Sequence, residues 1–120
     1  LRQLIADHKV DCWLVNTGWS GGAYGTGQRM SIQHTRALIR AALNGELDAV
    51  PTEIDPTFGL EIPQECPGVP SHILNPRATW ADMEAYDAKA QELAKMFNDN
   101  FKKYADGVSE AVRRVAPVVK

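Results

Sequence analysis

The densest concentration of chemically suggestive residues is a glycine-rich loop at residues 16–30, with glycines at positions 18, 21, 22, 25 and 27. Glycine has no side chain, so such a loop lets the backbone N–H groups approach a phosphate or a base closely. No lysine lies between Lys9 and Lys89. The loop therefore lacks the lysine with which a P-loop holds β- and γ-phosphates. On this pattern alone a nucleotide role is weakly indicated, with a plain surface turn as the alternative.

Two polar side chains follow the loop. Arg29 lies where the loop meets the next predicted helix, and its guanidinium can stack on a purine face, worth about 1 kcal/mol, or pair with a phosphate. Thr35 lies about one helical turn after Ser31 and offers a hydroxyl to a base edge. Their structural alternatives are a solvated or ion-paired arginine and a threonine bonded to its own helix backbone. Residues 13–35 are thus the candidate functional part of the chain, one wall of a nucleotide site that this chain does not complete by itself.

The remaining candidate groups form no catalytic or metal-binding pattern. Cys12 and Cys66 belong to no C-x-x-C motif, and we interpret them as two reduced, packed thiols. The three histidines do not cluster with cysteines or acids at ligand spacing, so we predict no metal site made by this chain alone. His34 is interpreted as a surface or capping histidine, with a general base as the alternative. The scattered acids between residues 53 and 65 leave a paired-carboxylate site unsupported.

The glycine-rich loop must be positioned by the elements on either side of it. Residues 10–15 (VDCWLV) form a short apolar run that predicts a buried strand. Residues 31–44 predict a helix whose N-cap is Ser31, and Asn44-Gly45 supplies its C-terminal stop. A strand, a glycine loop and a helix in succession are typical of an α/β protein that brings backbone close to phosphates or bases.

The second half of the chain changes character. Six prolines between residues 50 and 78 prevent long helices, and we expect extended chain laid over another surface, with one strand around the alternating Phe58, Leu60 and Ile62. Residues 80–105 predict the longest helix, opened by Thr79 with Asp82 in capping-box position, whose apolar stripe faces a core. The tail, residues 106–120, is predicted to contain one or two further helical turns.

Size and charge limit the function classes. A chain of 120 residues, 44% hydrophobic and 23% charged, is expected to form one small soluble domain. Its formal net charge of −2 gives no reason to expect nucleic acid or an anionic membrane as partner. No apolar run approaches the roughly 20 residues that span a bilayer. The first residue is not methionine, and the proline-rich segment is long for a compact domain; both favour a piece of a larger protein.

Six motifs together resemble a known enzyme family. In chain order they are WLVNTGW at residues 13–19, GxGQRMSIxxTR at 25–36, AALNGEL at 41–47, FGLEIP at 58–63, PGVP at 67–70 and LNPRATW at 74–80. They occur in the same order as in the C-terminal portion of ATP-dependent phosphoenolpyruvate carboxykinase. The resemblance covers nearly the whole chain, and the ordered set is far more specific than any one glycine pattern.

The resemblance implies a function and three site residues. The family converts oxaloacetate and ATP to phosphoenolpyruvate, carbon dioxide and ADP in gluconeogenesis, and a cytoplasmic location is expected. The fold is mixed α/β, and this portion would belong to its nucleotide-binding domain. By resemblance, Arg29, Met30 and Thr35 line the ATP site. Gln28 stands where the family commonly has lysine.

The resemblance also implies what this chain lacks. The family's phosphate loop, its metal ligands for Mg and Mn and its substrate arginines lie upstream, and none of them matches a residue of this sequence. The remainder of the same polypeptide is therefore an expected partner, and the 120-residue chain alone is predicted to be inactive. The alternatives are a stand-alone nucleotide-binding or interaction module without catalysis, and a structural domain without a ligand.

Overall fold

The computed structural model describes residues 2–120, which form helices and short strands in alternation. In chain order the elements are α1 (Arg2–His8), β1 (Trp19–Ser20), β2 (Gln28–Arg29), α2 (Ile32–Leu43), β3 (Thr52–Ile54), β4 (Glu61–Pro63), α3 (Ser71–Leu74), α4 (Pro76–Thr79), α5 (Met83–Phe101), a 3-10 turn (Ala105–Gly107) and α6 (Glu110–Arg114). The predicted mixture of helix and strand is confirmed at this level. No helix within residues 2–120 is both long and apolar enough to cross a membrane.

Two small antiparallel sheets organise the loops. In the first, β1 pairs with β2, with Trp19 opposite Arg29 and Ser20 opposite Gln28. In the second, β3 pairs with β4, and Glu53 lies opposite Ile62. The first sheet turns the glycine-rich loop into a hairpin, residues 18–30, which we call the glycine hairpin.

Helix α2 supplies the main core contact and confirms its predicted signals. The Ser31 hydroxyl accepts the His34 N–H at 3.2 Å, as an N-cap should. At the other end, the Gly45 backbone has a φ of +72°, the left-handed conformation that glycine adopts without steric cost after a helix. Between them α2 buries Ala41 in the core cluster, whose other buried members are Leu47, Cys66 and Val69.

The core is small for a chain of this length. No large side chain within residues 2–120 is completely buried, and the six buried apolar residues include three alanines. Large apolar groups such as Leu14 and Leu43 are each 82% exposed. Large exposed apolar patches are typical of surfaces that contact another protein, a membrane or a ligand.

The predicted strand at residues 10–15 is wrong in this structure. Residues 10–17 have no regular secondary structure and belong to neither sheet. Val10, Trp13 and Val15 are 54%, 39% and 42% exposed. A strand exists only when a second strand satisfies its backbone groups, and no strand within residues 2–120 pairs with this segment.

The proline-rich segment departs from the prediction in two places. The strand expected around Phe58, Leu60 and Ile62 is displaced: β4 begins at Glu61, while Phe58 and Leu60 precede it. Asp55 accounts for the displacement, because its carboxylate accepts the N–H groups of Thr57 and Phe58 and makes a turn there. The short helices α3 and α4 also lie within the segment that was expected to be extended.

The longest helix starts later and ends earlier than the predicted residues 80–105. Its N-cap is Asp82, whose carboxylate accepts the N–H groups of Glu84 and Ala85. Thr79 instead ends α4, and its hydroxyl donates to the Pro76 carbonyl at 2.6 Å. The carboxylate nearer to the helix start thus replaces the threonine as cap.

The apolar stripe of α5 is only partly buried. Ala90 and Ala94 are buried, but Phe97 is 53% exposed, so the predicted core-facing stripe is confirmed only in part. The tail crosses α5, with the Pro117 carbonyl accepting the Asn98 amide and the Val118 carbonyl accepting the Gln91 amide. The predicted helical turn in the tail is confirmed as α6.

Candidate functional site

The glycine hairpin is tightly folded rather than a flexible loop. The Met30 N–H donates to the Gly18 carbonyl at 3.0 Å, which closes the base of the hairpin. At its tip, the Ala23 carbonyl accepts the N–H groups of both Thr26 and Gly27. A Cβ on Gly27 would lie 2.5 Å from the Gly22 carbonyl oxygen. Glycine is therefore required at position 27 because the two arms of the hairpin pass too close for any side chain.

The glycine hairpin is followed directly by the start of α2. Arg29 ends β2, Met30 follows, and Ser31 is the N-cap of the helix. A helix N-terminus carries partial positive charge and free N–H groups, which favour an anionic or acceptor-rich ligand nearby. The predicted succession of glycine loop and capped helix is thus present in the fold.

The three predicted site residues occupy different surroundings. Arg29 is exposed and forms no ion pair with any residue in the described range 2–120. Met30 is half-buried and lines a cleft. The Thr35 hydroxyl donates to the Ser31 carbonyl at 3.2 Å, the helix-backbone bond that was its structural alternative. Thr35 does not line the cleft, and neither does Arg29. The three residues thus lie within seven positions of the chain, but only Met30 lies in the cleft wall.

The cleft runs between the glycine hairpin and the proline-rich segment. It has a volume of about 770 Å³ and a largely apolar lining, which is in the range of small-molecule sites. Gly21, Met30 and Thr79 lie on its wall, together with apolar residues of the irregular segment, among them Trp13 and Leu14. The exposed segment at residues 10–17 thus forms one side of the cleft.

Helix α4 contacts the hairpin directly at the cleft wall. The Gly21 N–H donates to the Thr79 hydroxyl oxygen at 3.2 Å, across a sequence separation of 58 residues. Gly21 has a φ of +80°, and a Cβ there would lie 3.1 Å from the Thr79 carbonyl oxygen. Glycine at position 21 therefore serves both the backbone conformation and the close approach.

Helix α4 is itself fixed to α5. The Arg77 Nε and Nη2 donate to the two carboxylate oxygens of Asp87 at 2.8 and 2.9 Å, a bidentate geometry. The hydrogen bond from Arg77 is the largest cause that lowers the pKa of Asp87 below its ordinary value. Trp80 packs edge-on against Tyr86 with ring centroids 5.6 Å apart. Burial is the main cause that raises the pKa of the Tyr86 phenol. The longest helix thus supports the hairpin through α4.

The cysteines are reduced, and the potential metal ligands do not cluster within the described residues. Both cysteines are free, as predicted, but only Cys66 is packed, since Cys12 is exposed. Burial is the main cause that raises the pKa of the Cys66 thiol, with a further contribution from the charge of Glu46. Within the described residues, no three side chains of histidine, cysteine, aspartate or glutamate converge on a point that could hold a metal ion.

The hydrogen bond between Gly21 and Thr79 was not predicted from the sequence. The sequence placed Thr79 at the start of the longest helix and gave Gly21 no role beyond the loop. No spacing rule could have joined two residues 58 positions apart. The close glycine approach at position 21 is visible only in the fold.

Comparison with known proteins identifies the family. A family model described as phosphoenolpyruvate carboxykinase matches residues 1–72. Phosphoenolpyruvate carboxykinase (ATP) of Brucella suis biovar 1 is 58% identical over all 120 residues, which is 22% of that protein's length. The corresponding protein of Parvibaculum lavamentivorans is 61% identical over 98% of the chain, also 22% of its length. That of Moorella thermoacetica, named phosphoenolpyruvate carboxykinase (ATP) 1, is 58% identical over 88% of the chain.

The chain spans about a fifth of the length of the curated relatives it matches. The match nevertheless covers the whole glycine hairpin, all of α2 and, in the relatives, the segment that carries α4 and α5. On the strength of the family model and these relatives, the chain belongs to the phosphoenolpyruvate carboxykinase family.

Proposed function

We propose that this chain is a C-terminal part of the nucleotide-binding domain of an ATP-dependent phosphoenolpyruvate carboxykinase, here called the parent enzyme. The parent enzyme would convert oxaloacetate and ATP to phosphoenolpyruvate, carbon dioxide and ADP. In this proposal Arg29, Met30 and Thr35 form one wall of the ATP site, at the base end of the nucleotide. The reacting phosphate would be bound by residues outside the chain.

The observation that carries the proposal is the position of Arg29 and Met30, which lie at the end of the glycine hairpin, directly before the start of α2. Trp19 lies opposite Arg29 in the paired strands, and the next two residues lead to the capped helix. Arg29 is exposed and forms no ion pair within residues 2–120. Its guanidinium is therefore available to contact a ligand. The lack of a lysine in the hairpin fits a role at the base rather than at the γ-phosphate.

Within residues 2–120 the side chains form no group that could hold a divalent metal. The carboxykinase reaction would use magnesium with the nucleotide and manganese at the substrate, and the described residues 2–120 offer no converging set of metal ligands. The metal ligands of the parent enzyme would therefore lie elsewhere in its polypeptide. The 120-residue chain alone is expected to show no ATP-dependent decarboxylation of oxaloacetate.

The exposed apolar segment fits the same proposal. Trp13 and Leu14 lie on the cleft wall and remain 39% and 82% exposed, which favours contact with the rest of the parent polypeptide. A cytoplasmic location, with neither nucleic acid nor membrane as partner, is part of the proposal.

The test is Arg29→Ala in the parent enzyme. We expect the dissociation constant of ATP, measured by titration calorimetry, to rise about 5- to 30-fold, equivalent to about 1–2 kcal/mol for a lost stacking or charge-assisted contact. Arg36→Ala, on the exposed face of α2 beyond Thr35, is the matched control for loss of a nearby positive charge. An ATP affinity in Arg29→Ala that equals the control's would remove Arg29 from the site.

A further inference from the structure

The Thr79 hydroxyl is fixed in the orientation needed to accept a hydrogen bond. It donates its single proton to the Pro76 carbonyl at 2.6 Å, so its lone pairs are left for the Gly21 N–H, which lies 3.2 Å away. A hydroxyl has one donor and two acceptor sites, and both kinds are used here. The bond joins two half-buried residues of different elements, where competition from water is reduced.

The Gly21 end of this bond is rigidly connected to Arg29. Gly21 directly follows β1, and β1 pairs with β2 so that Trp19 lies opposite Arg29. The two arms also lie close together at Gly27, where an added Cβ would lie 2.9 Å from the Ser20 carbonyl oxygen. A displacement of Gly21 must therefore carry Arg29 with it.

The Thr79 end is equally well supported. The Asn75 side chain accepts the N–H groups of Arg77 and Ala78 and so caps α4. The bidentate Arg77–Asp87 pair joins α4 to α5. The hydroxyl thus belongs to an element that is held in place by its own cap and by the ion pair with α5.

We propose that Thr79 is a positioning residue of the ATP site: by accepting the Gly21 N–H, its hydroxyl holds the glycine hairpin where Arg29 can meet the nucleotide. This inference rests on the proposed function for the ATP site, but the tether between Thr79 and Gly21 can be measured without it. Thr79 does not touch the nucleotide in this proposal. It acts through the backbone of the hairpin.

The test compares Thr79→Val and Thr79→Ser in the parent enzyme. Valine keeps the shape and removes the hydroxyl, so the KM for ATP should rise about 3- to 10-fold, the range expected for one hydrogen bond. The kcat and the KM for oxaloacetate should stay within about twofold of the wild type. Thr79→Ser keeps the hydroxyl, so its KM for ATP should equal that of the wild type.

A second readout follows the tether itself. Hydrogen exchange of the hairpin amides, measured without ATP, should be about 3- to 10-fold faster in Thr79→Val than in the wild type. Gln91→Ala, which loses its bonds to the tail carbonyl of Val118 and the Lys120 N–H, controls for general loss of stability. It should lower the melting temperature while leaving the KM for ATP and the hairpin exchange unchanged.

The outcomes separate the two proposals. An unchanged KM for ATP in Thr79→Val, a serine variant as impaired as the valine variant, or an equal KM increase in Gln91→Ala would overturn the positioning role. If Arg29→Ala leaves ATP binding intact while Thr79→Val still accelerates hairpin exchange, the ATP site is misplaced and the tether stands. Unchanged hairpin exchange in Thr79→Val would refute the tether whatever the ATP data show.

Discussion

Replacing Gly27 with alanine should open the glycine hairpin. The added Cβ would lie 2.5 Å from the Gly22 carbonyl oxygen and 2.9 Å from that of Ser20. An ordinary contact begins at 3.4 Å, so the arms must separate by roughly 0.9 Å, the difference between 3.4 and 2.5 Å. Both obstacles are backbone atoms, which cannot turn away as a side chain would.

The size of the effect follows from that displacement. Hydrogen bonds between β1 and β2 weaken steeply once donor and acceptor move beyond about 3.5 Å, so a shift of this size breaks the pairing that sets Arg29 opposite Trp19. Forcing a methyl group into a packed site costs about 1–3 kcal/mol. If only molecules with a closed hairpin bind ATP, the apparent affinity for ATP decreases in proportion to the fraction of molecules whose hairpin is closed. We expect a loss of roughly 5- to 150-fold in ATP affinity.

The assay is ATP titration of the parent enzyme carrying Gly27→Ala, with hydrogen exchange of the hairpin amides measured in parallel. Gly107→Ala is the matched control, because a Cβ on Gly107 meets nothing within 4 Å and should leave ATP binding unchanged. Wild-type ATP affinity together with wild-type exchange in Gly27→Ala would show that the hairpin absorbs the methyl group, and the reasoning from its close approach would be refuted.

Three further predictions concern the supports of the site. Ser31→Ala removes the N-cap bond of α2 and should lower the free energy of unfolding of the parent enzyme by about 1 kcal/mol in urea titration; no change would mean that water replaces the cap. Because Arg77 lowers the pKa of Asp87 below the ordinary 3.8, this pair stabilises the fold above that pH, and the contribution is lost as the pH falls through the folded-state pKa. Asp87→Asn should therefore reduce stability at pH 7 and have little effect near pH 2; an equal loss at both values would exclude the ion pair as the cause. Cys12 should react with iodoacetamide before Cys66 in the 120-residue chain, because Cys66 is 6% exposed and its thiol pKa is raised; mass mapping that finds Cys66 labelled first would contradict the burial.

Local signals in the sequence predicted α2 well. Its cap at Ser31 and its stop at Gly45 depend on backbone geometry within four residues, which sequence encodes directly. The start of α5 was predicted incorrectly because both Thr79 and Asp82 are residue types that can serve as its N-cap. Thr79 ends α4 instead, and the Asp82 carboxylate accepts the N–H groups of Glu84 and Ala85 at the start of α5.

Features that depend on distant partners could not be predicted. The apolar run at residues 10–15 has the composition of a buried strand, but a strand needs a pairing edge, and no sequence pattern says whether the chain provides one. The same holds for the tether of Gly21 to Thr79. Of the site itself, the glycine hairpin and the approach to α2 were visible in the residue types, whereas the family resemblance was needed to point to Met30, which the fold places in the cleft wall.

The tether of Gly21 to Thr79 also sets an order of events during folding. The two residues are 58 positions apart, so on the ribosome the hairpin can turn and pair its own strands long before its anchor has been synthesised. Closing so long a loop carries an entropic cost that only later contacts repay. The hairpin should therefore form early as a local unit and be locked into place late, once α4 has docked on α5. Slow steps in refolding should then delay the recovery of nucleotide binding more than the recovery of helix content.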